Sequence, residues 1–312
     1  MQQAPAAGRM PHETTDRTQY QERPVPMPDG VGIVDLMIGF PMRDKKKVYE
    51  YLMRGIRDDE TKSEFTFPAE YMFREVPDEN EKDADPIEAT FAKMDEYGIH
   101  AGLFGLGDDA REAKKRYPGR VLTSLEVDPN DVMKTVRKIR KAKEQDDLTA
   151  VTFFPSGCFP QVNVDAPLMY PVYATCIDLD IPILVNAGIA GPRFPSDCQH
   201  VERFDRVCYD FPELRIVMRH GAEPWEDLAV KLMLKWPGLY YCTSAFAPKY
   251  YPEAIIKYAN TRGADKIMYA GYFPMGLSMD RIMTEMKDVG FKDEVWPKFL
   301  RENANRVFKL GL

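Results

Sequence analysis

The sequence predicts an α/β fold, a (β/α)8 barrel of the TIM type, and two observations lead to this prediction. From Val31 onward, short apolar runs rich in strand-forming residues alternate with amphipathic stretches, which is typical of βα units around a parallel sheet. The chain has 312 residues, 44% of them hydrophobic, and α/β barrels often reach such a length as one domain. We therefore expect a single barrel domain over residues 31–312.

The pattern places eight strands along the chain. Between them, segments such as 132–139 and 228–233 have apolar residues at helical spacing and are predicted to form helices of an outer ring. In such a barrel the reactive side chains lie at the C-terminal ends of the strands and in the loops that follow them. The predicted strands lie near residues 31–38, 100–104, 121–126, 148–154, 181–186, 215–219, 239–243 and 266–271.

Two segments are predicted to lie outside the regular barrel. Residues 1–30 contain five prolines among polar residues and show no periodic pattern, so they cannot bury enough apolar area to order themselves alone. We interpret them as an arm laid on a neighbouring subunit, with a mobile tail as the alternative. Residues 57–86 follow the first strand and carry aromatic residues, which favours a lid that closes over an aromatic ligand; an ordinary surface excursion fits the same pattern.

Composition excludes several classes of partner. The net charge of −7 provides no positive field for nucleic acid or for an anionic membrane. No run approaches the roughly 20 apolar residues of a membrane span, and the N-terminus has no apolar signal core. The five cysteines include no CxxC pair, which suits reduced thiols. We therefore expect a cytoplasmic protein whose partner is a small molecule.

Five stretches of the sequence follow the order of motifs in a known family. They are residues 34–40, 181–188, 219–225, 267–274 and 302–308. Together they resemble the amidohydrolase-related family that includes aminocarboxymuconate-semialdehyde decarboxylase, aromatic-acid decarboxylases, hydratases and lactone hydrolases. The resemblance implies the same barrel fold, and because relatives commonly form dimers it also implies a homodimer.

The sequence departs from this family at the positions that the resemblance identifies as metal ligands. Met37 and Gly39 stand at the first-strand HxH pair, Asn186 at the fifth-strand histidine and Tyr272 at the last aspartate, while His220 is retained. A catalytic zinc ion needs about three ligands drawn from His, Cys and carboxylate. Amide, thioether and phenol are poor partners for a divalent cation. We therefore predict no metal and no other cofactor, so that metal-activated water is not available as a nucleophile.

His220 and Tyr272 are the predicted catalytic residues. The period of two along the sixth strand puts Ile216, Met218 and His220 on one face, and Arg219 on the other unless the strand has ended, so His220 is the candidate for the interior. Tyr272, at the former aspartate position, can pass a proton or bind a phenolate.

Four further residues are predicted to bind substrate. Asn186 and Thr152 would position it by hydrogen bonds, and Arg193 would hold its carboxylate, with a surface salt bridge as the alternative for this arginine. Glu223, three residues past His220, would orient the imidazole.

The predicted function follows from reactions that need no metal. Decarboxylation of a phenolic acid requires a group that binds or deprotonates the phenol, a pocket that disfavours the carboxylate, and an acid that protonates carbon. Since the resemblance is to a family with decarboxylases, we predict a metal-independent carbon–carbon lyase, a decarboxylase of an aromatic or phenolic acid in aromatic-compound catabolism. Two alternatives stay open: a hydrolase or hydratase in which His220 activates water, and a barrel that binds an aromatic acid without turnover.

Overall fold

The computed structural model describes residues 26–42, 44–64, 69–73, 76 and 85–312. Its centre is a sheet of eight parallel strands, each paired with the next strand along the chain. The predicted barrel class and the eight predicted strand positions are confirmed. The strands are β1 (Ile33–Asp35), β2 (Ile99–Gly105), β3 (Val121–Val127), β4 (Ala150–Phe153), β5 (Ile183–Asn186), β6 (Ile216–Arg219), β7 (Leu239–Cys242) and β8 (Ile267–Met268).

Helices follow the strands in the described part of the chain, and none of them has the length and apolar character needed to cross a membrane. The α-helices are α1 (Lys45–Tyr49), α2 (Asp59–Glu64), α3 (Pro86–Glu96), α4 (Asp108–Arg116), α5 (Val132–Asp146), α6 (Tyr170–Asp178), α7 (Arg203–Asp210), α8 (Glu226–Lys235), α9 (Glu253–Ala259), α10 (Met279–Met286) and α11 (Asn303–Phe308). Short 3-10 turns lie at Glu50–Gly55, Glu70–Met72, Pro155–Gly157, Pro167–Met169, Asp197–Gln199 and Pro248–Tyr250, and a π-helical turn lies at Lys298–Glu302.

The two predicted accessory segments are described only in part. Residues 1–25 of the predicted arm lie outside the described residues, and so do residues 65–68, 74–75 and 77–84 of the predicted lid. The proposed division into an arm and a barrel domain therefore stays a prediction.

Several helices begin where the sequence supplies a cap. The Asp85 side chain accepts a hydrogen bond from the Ile87 amide at the start of α3, whose first residue is Pro86. Asp131 accepts one from the Lys134 amide at the start of α5. Such residues satisfy amide groups that have no partner inside the helix, and they fix where each helix begins against the sheet.

Alternation along the strands divides the core into two layers. Val217 and Leu184 belong to the layer inside the barrel, which also includes Phe308 of α11. The second layer lies between the sheet and the surrounding helices, and it includes Ile216 and Met218 of β6.

This division corrects the predicted facing of β6. Ile216 and Met218 point outward to the helices, whereas Val217 points inward, and Arg219 follows Val217 on the inward face. The prediction that Arg219 faces away from the interior is wrong. Both faces of a buried parallel strand are apolar, so the sequence pattern gives no sign of which face is inside.

Backbone hydrogen bonds join the first and last strands. The Leu36 amide donates to the Tyr269 carbonyl at 3.3 Å, and the Gly39 amide donates to the Phe273 carbonyl at 2.8 Å. The ladder that runs from β1 to β8 is thereby closed into a barrel.

The buried carboxylate of Asp35 supports the same seam. Its Oδ1 accepts hydrogen bonds from the amides of Met37 at 2.9 Å and Gly271 at 2.8 Å, and only 1% of Asp35 is exposed. Burial raises the pKa of Asp35 to about 7, and the two amide bonds oppose that rise. The carboxyl group is therefore protonated more readily in the folded chain than in the unfolded one.

We expect the contribution of Asp35 to the stability of the protein to fall as pH rises from about 4 to about 7, because the pKa of Asp35 is raised from an ordinary value of about 3.9. The contribution of the Asp35 carboxyl group is complete below its pKa in the unfolded chain. It is lost as pH rises through its pKa in the folded chain, about 7. Asparagine keeps an oxygen for both amides and removes the charge. The free energy of unfolding in urea of Asp35→Asn, minus that of wild type, should therefore increase by about 4 kcal/mol between pH 4 and pH 8.

Asp109→Asn, at an exposed position of α4, is the matched control for removing a carboxylate, and its stability relative to wild type should stay constant over this range. A constant difference between Asp35→Asn and wild type would contradict the role given to Asp35.

Candidate active site

A cavity of about 590 Å³ opens at the C-terminal ends of the strands. This is the end at which α/β barrels carry their active sites. Its lining includes residues at or near the ends of most of the strands, together with aromatic residues of the loops above them. The strand-end residues are Met37, Glu126, Phe154, Asn186, Arg219, His220 and Tyr272.

The end of β6 sends two consecutive side chains into this cavity. Arg219 is the last residue of the strand and faces the interior. His220 has a φ of 67°, in the left-handed region that residues other than glycine rarely adopt. Its amide donates a hydrogen bond to the Ser244 hydroxyl at 3.1 Å. The backbone changes direction at His220, and both side chains therefore line the same cavity.

The His220 ring is held by Ser244 and lies beside Tyr272. The Ser244 hydroxyl lies 3.0 Å from Nδ1 of the imidazole, and Ser244 is fully buried. The rings of His220 and Tyr272 meet edge to face with their centroids 5.8 Å apart. Burial, and then the charge of Arg219, hold the pKa of His220 well below its usual range. The imidazole is therefore neutral at neutral pH and available to accept a proton.

Tyr272 has the opposite property. Burial raises the pKa of Tyr272 to about 12, and the charge of Arg219 opposes that rise. Its ring stacks on Phe73 with the centroids 5.9 Å apart. The phenol is therefore protonated at neutral pH and carries an O–H group that can donate a hydrogen bond.

Arg219 is the centre of a polar network at the base of the cavity. Its Nε donates a short hydrogen bond to Oδ1 of Asn186 on the neighbouring strand. Its Nη2 lies 3.6 Å from Oε2 of Glu126, and Oε1 of Glu126 accepts a hydrogen bond from the Tyr51 hydroxyl at 3.4 Å. The Arg219 side chain is only 10% exposed. A buried cation needs such partners, because an unpaired charge in a protein interior is strongly unfavourable.

The other predicted substrate-binding residues lie in different places. Thr152 is buried on β4 between Glu126 and Leu184 of the adjacent strands. It is not among the described residues that line the cavity, whereas Phe154, two residues further along, is. Glu223 lies at the exposed rim of the cavity. The hydrogen-bond partner of the His220 ring is Ser244, so the orienting role predicted for Glu223 falls to Ser244.

Arg193 forms the salt bridges that were the alternative to a substrate clamp. Its guanidinium contacts Asp58 at 2.8 Å and Glu60 at 3.2 Å. It also lies over the Tyr71 ring at 4.9 Å, and the Tyr71 hydroxyl donates to the Gly191 carbonyl at 2.8 Å. Arg193 is not among the described lining residues. It connects the loop after β5 to the segment that includes α2 and Tyr71.

Part of the predicted lid lies over the cavity. Ala69, Met72 and Phe73 are among the lining residues. Phe73 reaches Tyr272 from above, and Tyr71 is tied to Gly191 across the opening. The described residues 69–73 therefore cover one side of the opening, and whether the whole segment opens and closes stays a prediction.

The sequence analysis missed three residues of the site: Arg219, Glu126 and Ser244. Glu126 carried a signal, because a carboxylate at the C-terminal end of a predicted barrel strand stands where reactive side chains are expected. Arg219 also stands at the end of a predicted strand, but the sequence analysis placed it on the face opposite to His220. Ser244 follows β7 in a short polar run, and sequence alone does not show that it meets His220.

Comparison with known proteins now identifies the family. A family model described as amidohydrolase matches residues 73–310, which is more than half of the chain. The chain belongs to the amidohydrolase family. No curated protein sequence matches this amidohydrolase significantly.

Solved structures resemble this amidohydrolase over most of its length. An uncharacterised TIM-barrel protein from Bordetella bronchiseptica has a TM-score of 0.71 at 21% identity, covering 89% of this chain and 99% of that one. 5-Carboxyvanillate decarboxylase from Novosphingobium aromaticivorans, solved with manganese and 4-hydroxy-3-methoxy-5-nitrobenzoic acid, has a TM-score of 0.63 at 17% identity, covering 90% and 96%. 2,6-Dihydroxybenzoate decarboxylase from Rhizobium has a TM-score of 0.63 at 14% identity, covering 90% and 99%. At these identities the likeness shows the fold.

The side chains at the family's ligand positions do not fit a divalent metal in this amidohydrolase. The Asn186 oxygen accepts a hydrogen bond from a guanidinium, His220 is bound to Ser244 through Nδ1, and Met37 and Tyr272 contribute a thioether and a protonated phenol. Over the described ranges, no group of three or more His, Cys, Asp and Glu side chains could hold a metal ion. A catalytic zinc ion needs about three ligands drawn from His, Cys and carboxylate, and this set supplies one, the imidazole of His220.

We expect the imidazole of His220 to titrate below the usual histidine pKa of about 6.5, because burial and the Arg219 charge disfavour the imidazolium. Arg219→Gln should shift the midpoint upward, since one of the two causes is removed. The measurement is an NMR pH titration of the imidazole signals, assigned with His220→Asn.

Arg281→Gln is the matched control, because it removes an arginine from the same cavity lining and should leave the His220 midpoint in place. A His220 midpoint at or above the ordinary value in wild type would contradict the electrostatic environment described here.

Proposed function

We propose that this protein is a metal-independent decarboxylase of an aromatic or phenolic acid. The observation that carries the proposal is the pairing of a neutral imidazole, His220, with a protonated phenol, Tyr272, beside the guanidinium of Arg219. These three groups supply a base, a hydrogen-bond donor and a positive charge. Structural neighbours that decarboxylate 5-carboxyvanillate and 2,6-dihydroxybenzoate support the substrate class.

The cavity suits a single aromatic ring. Its volume of about 590 Å³ lies within the range of roughly 300–1,000 Å³ typical of small-molecule sites. Aromatic side chains surround it on several sides, namely Tyr49, Phe73, Phe154 and Phe246. Rings offer offset-stacked and edge-to-face contacts to a planar ligand.

The proposed reaction moves one proton from oxygen to carbon. The neutral imidazole of His220 takes the proton of a substrate hydroxyl ortho or para to the carboxylate. It returns that proton to the ring carbon that bears the carboxylate, which gives a dienone. The carbon–carbon bond then breaks, its electron pair returns to the ring as a phenolate, and carbon dioxide leaves; solvent supplies one proton to the phenolate.

Tyr272 and Arg219 act on the charges of the substrate. The Tyr272 phenol donates a hydrogen bond to the substrate oxygen on which negative charge collects, and the guanidinium attracts the anionic substrate as a fixed positive charge. Ser244 holds the imidazole in position. No step passes through a metal, because the side chains at the family's ligand positions do not suit one. The homodimer and the cytoplasmic location stay predictions from the sequence.

We expect the purified protein to release carbon dioxide from members of a panel containing 5-carboxyvanillate, 2,6-dihydroxybenzoate and phenylpropanoid acids. His220→Ala and Tyr272→Phe should each reduce kcat by about 10²-fold to 10⁴-fold, the range for loss of a general acid or base. The measurement is carbon dioxide evolution under saturating substrate, with circular dichroism to verify folding.

His100→Ala and Tyr209→Phe are matched controls, because both residues are exposed outside the described cavity lining, and both should keep wild-type turnover. Full turnover in His220→Ala and Tyr272→Phe would exclude the assigned roles. Oxygen from labelled water in the product would indicate a hydrolase or hydratase instead, and tight binding without any product would indicate a binding protein.

Removal of metals should leave the activity unchanged, because the ligand positions carry an amide, a thioether and a phenol. The expected result is equal kcat before and after dialysis against EDTA, with no increase on addition of Mn²⁺ or Zn²⁺. Elemental analysis of the purified protein should find well below one metal ion per chain. Loss of turnover that either ion restores would overturn metal independence.

A further inference from the structure

The charged residues of the cavity lining are unevenly neutralised. Among the described lining residues they are Glu126, Arg219, Glu223 and Arg281. Arg281 has a close partner, because its Nε donates to Oε1 of Glu285 at 3.0 Å, and Glu285 is largely buried with 18% of its side chain exposed. Arg219 meets a carboxylate only at 3.6 Å, which is too long for a good hydrogen bond.

Most of the donors of Arg219 are therefore open to the cavity. A guanidinium has five N–H groups in a planar fork. Within the described part of the chain, the Arg219 hydrogen bond runs from Nε to Asn186, and neither Nη nitrogen forms one. The hydrogen bond to Asn186 fixes the Nε of the guanidinium, so the two Nη groups have a defined direction. Such a fork matches the two oxygens of a carboxylate.

We propose that Arg219, held in place by Asn186, binds the carboxylate of the aromatic acid at the base of the cavity. The proposal rests on the proposed decarboxylase function and deepens it, because it assigns the carboxylate to one residue. Arg219 is then the binding residue and Asn186 a positioning residue. This assignment differs from the expectation that Arg193 holds the substrate carboxylate. The guanidinium of Arg193 is occupied by Asp58 and Glu60.

Glu126 limits how strongly the acid is held. Its carboxylate lies beside the same guanidinium and also accepts the Tyr51 hydroxyl, so a bound substrate carboxylate shares Arg219 with a second negative charge. Repulsion between the two carboxylates raises the energy of the bound acid. The repulsion disappears when carbon dioxide leaves as a neutral molecule, which favours the transition state over the ground state.

The test compares two probes of similar shape, the anionic 4-hydroxybenzoate and the neutral 4-hydroxybenzamide, in which an NH2 group replaces one carboxylate oxygen. Binding is measured by isothermal titration calorimetry at pH 7.5 with the full chain. Wild type should bind the acid more tightly than the amide. Arg219→Gln should weaken binding of the acid by about tenfold to a hundredfold, as expected for a lost charge-assisted pair of hydrogen bonds, and leave the amide unchanged. Arg281→Gln, the matched arginine control, should keep the preference for the acid.

Two further variants keep the test decisive if Arg219→Gln does not fold. Asn186→Asp retains the oxygen that accepts from Nε but adds a negative charge, so it should weaken binding of the acid. Glu126→Gln removes the competing charge and should tighten binding of the acid by about threefold or more. In turnover assays the same Glu126→Gln variant should lower KM without raising kcat, a split that a purely structural role would not produce.

Equal affinities of wild type for acid and amide, including no binding of either, overturn the proposal, and so does an unchanged preference for the acid in Arg219→Gln or Asn186→Asp. Binding requires no turnover, so the two hypotheses fail separately. A protein that binds the acid through Arg219 but releases no carbon dioxide refutes only the decarboxylase function. A protein that releases carbon dioxide while Arg219→Gln keeps its acid preference refutes only the role of Arg219.

Discussion

The hydrogen bond from Arg219 Nε to the Asn186 oxygen fixes a buried guanidinium at the strand ends of this barrel. A guanidinium inside a barrel is stable only when it has partners, and Asn186 and Glu126 provide them. Once fixed there, its charge lowers the pKa of His220 and opposes the rise in the pKa of Tyr272. Burial is the larger cause of both pKa shifts, and the same neighbouring cation adds to the shift of the base and opposes that of the donor in the proposed reaction.

The backbone after β6 makes this arrangement possible. Adjacent residues of a strand point to opposite faces, so Arg219 and His220 could not both reach the interior if the strand continued. Instead, His220, Gly221 and Ala222 all have positive φ values of 67°, 92° and 62°. A side chain at Gly221 would also meet the Phe246 ring at 2.3 Å. Backbone strain of this kind at a strand end is characteristic of functional sites.

The sequence predicted the barrel and its strand positions because alternating apolar and amphipathic segments are a repeated, local signal. It also directed attention to His220, Tyr272 and Asn186 through motif positions, and all three line the cavity. The facing of β6 could not be read, because a buried parallel strand is apolar on both faces. The contact of Ser244 with His220 joins residues 24 positions apart, and such distant pairs follow from strand packing rather than from local pattern.

Residues 69–73, which lie over the cavity, also bear on the electrostatics of the site. Attraction between a guanidinium and a carboxylate is weak in water and grows as the effective dielectric constant falls. Arg193 contacts Asp58 and Tyr71, and Tyr71 bonds to Gly191, so the loop after β5 is tied to residues that cover the opening. Phe73 then stacks on Tyr272. If an anion binds Arg219 as proposed, reduced access of water would strengthen the attraction between the two. Arg193, although outside the described lining, would then act on the site through the segment that covers it.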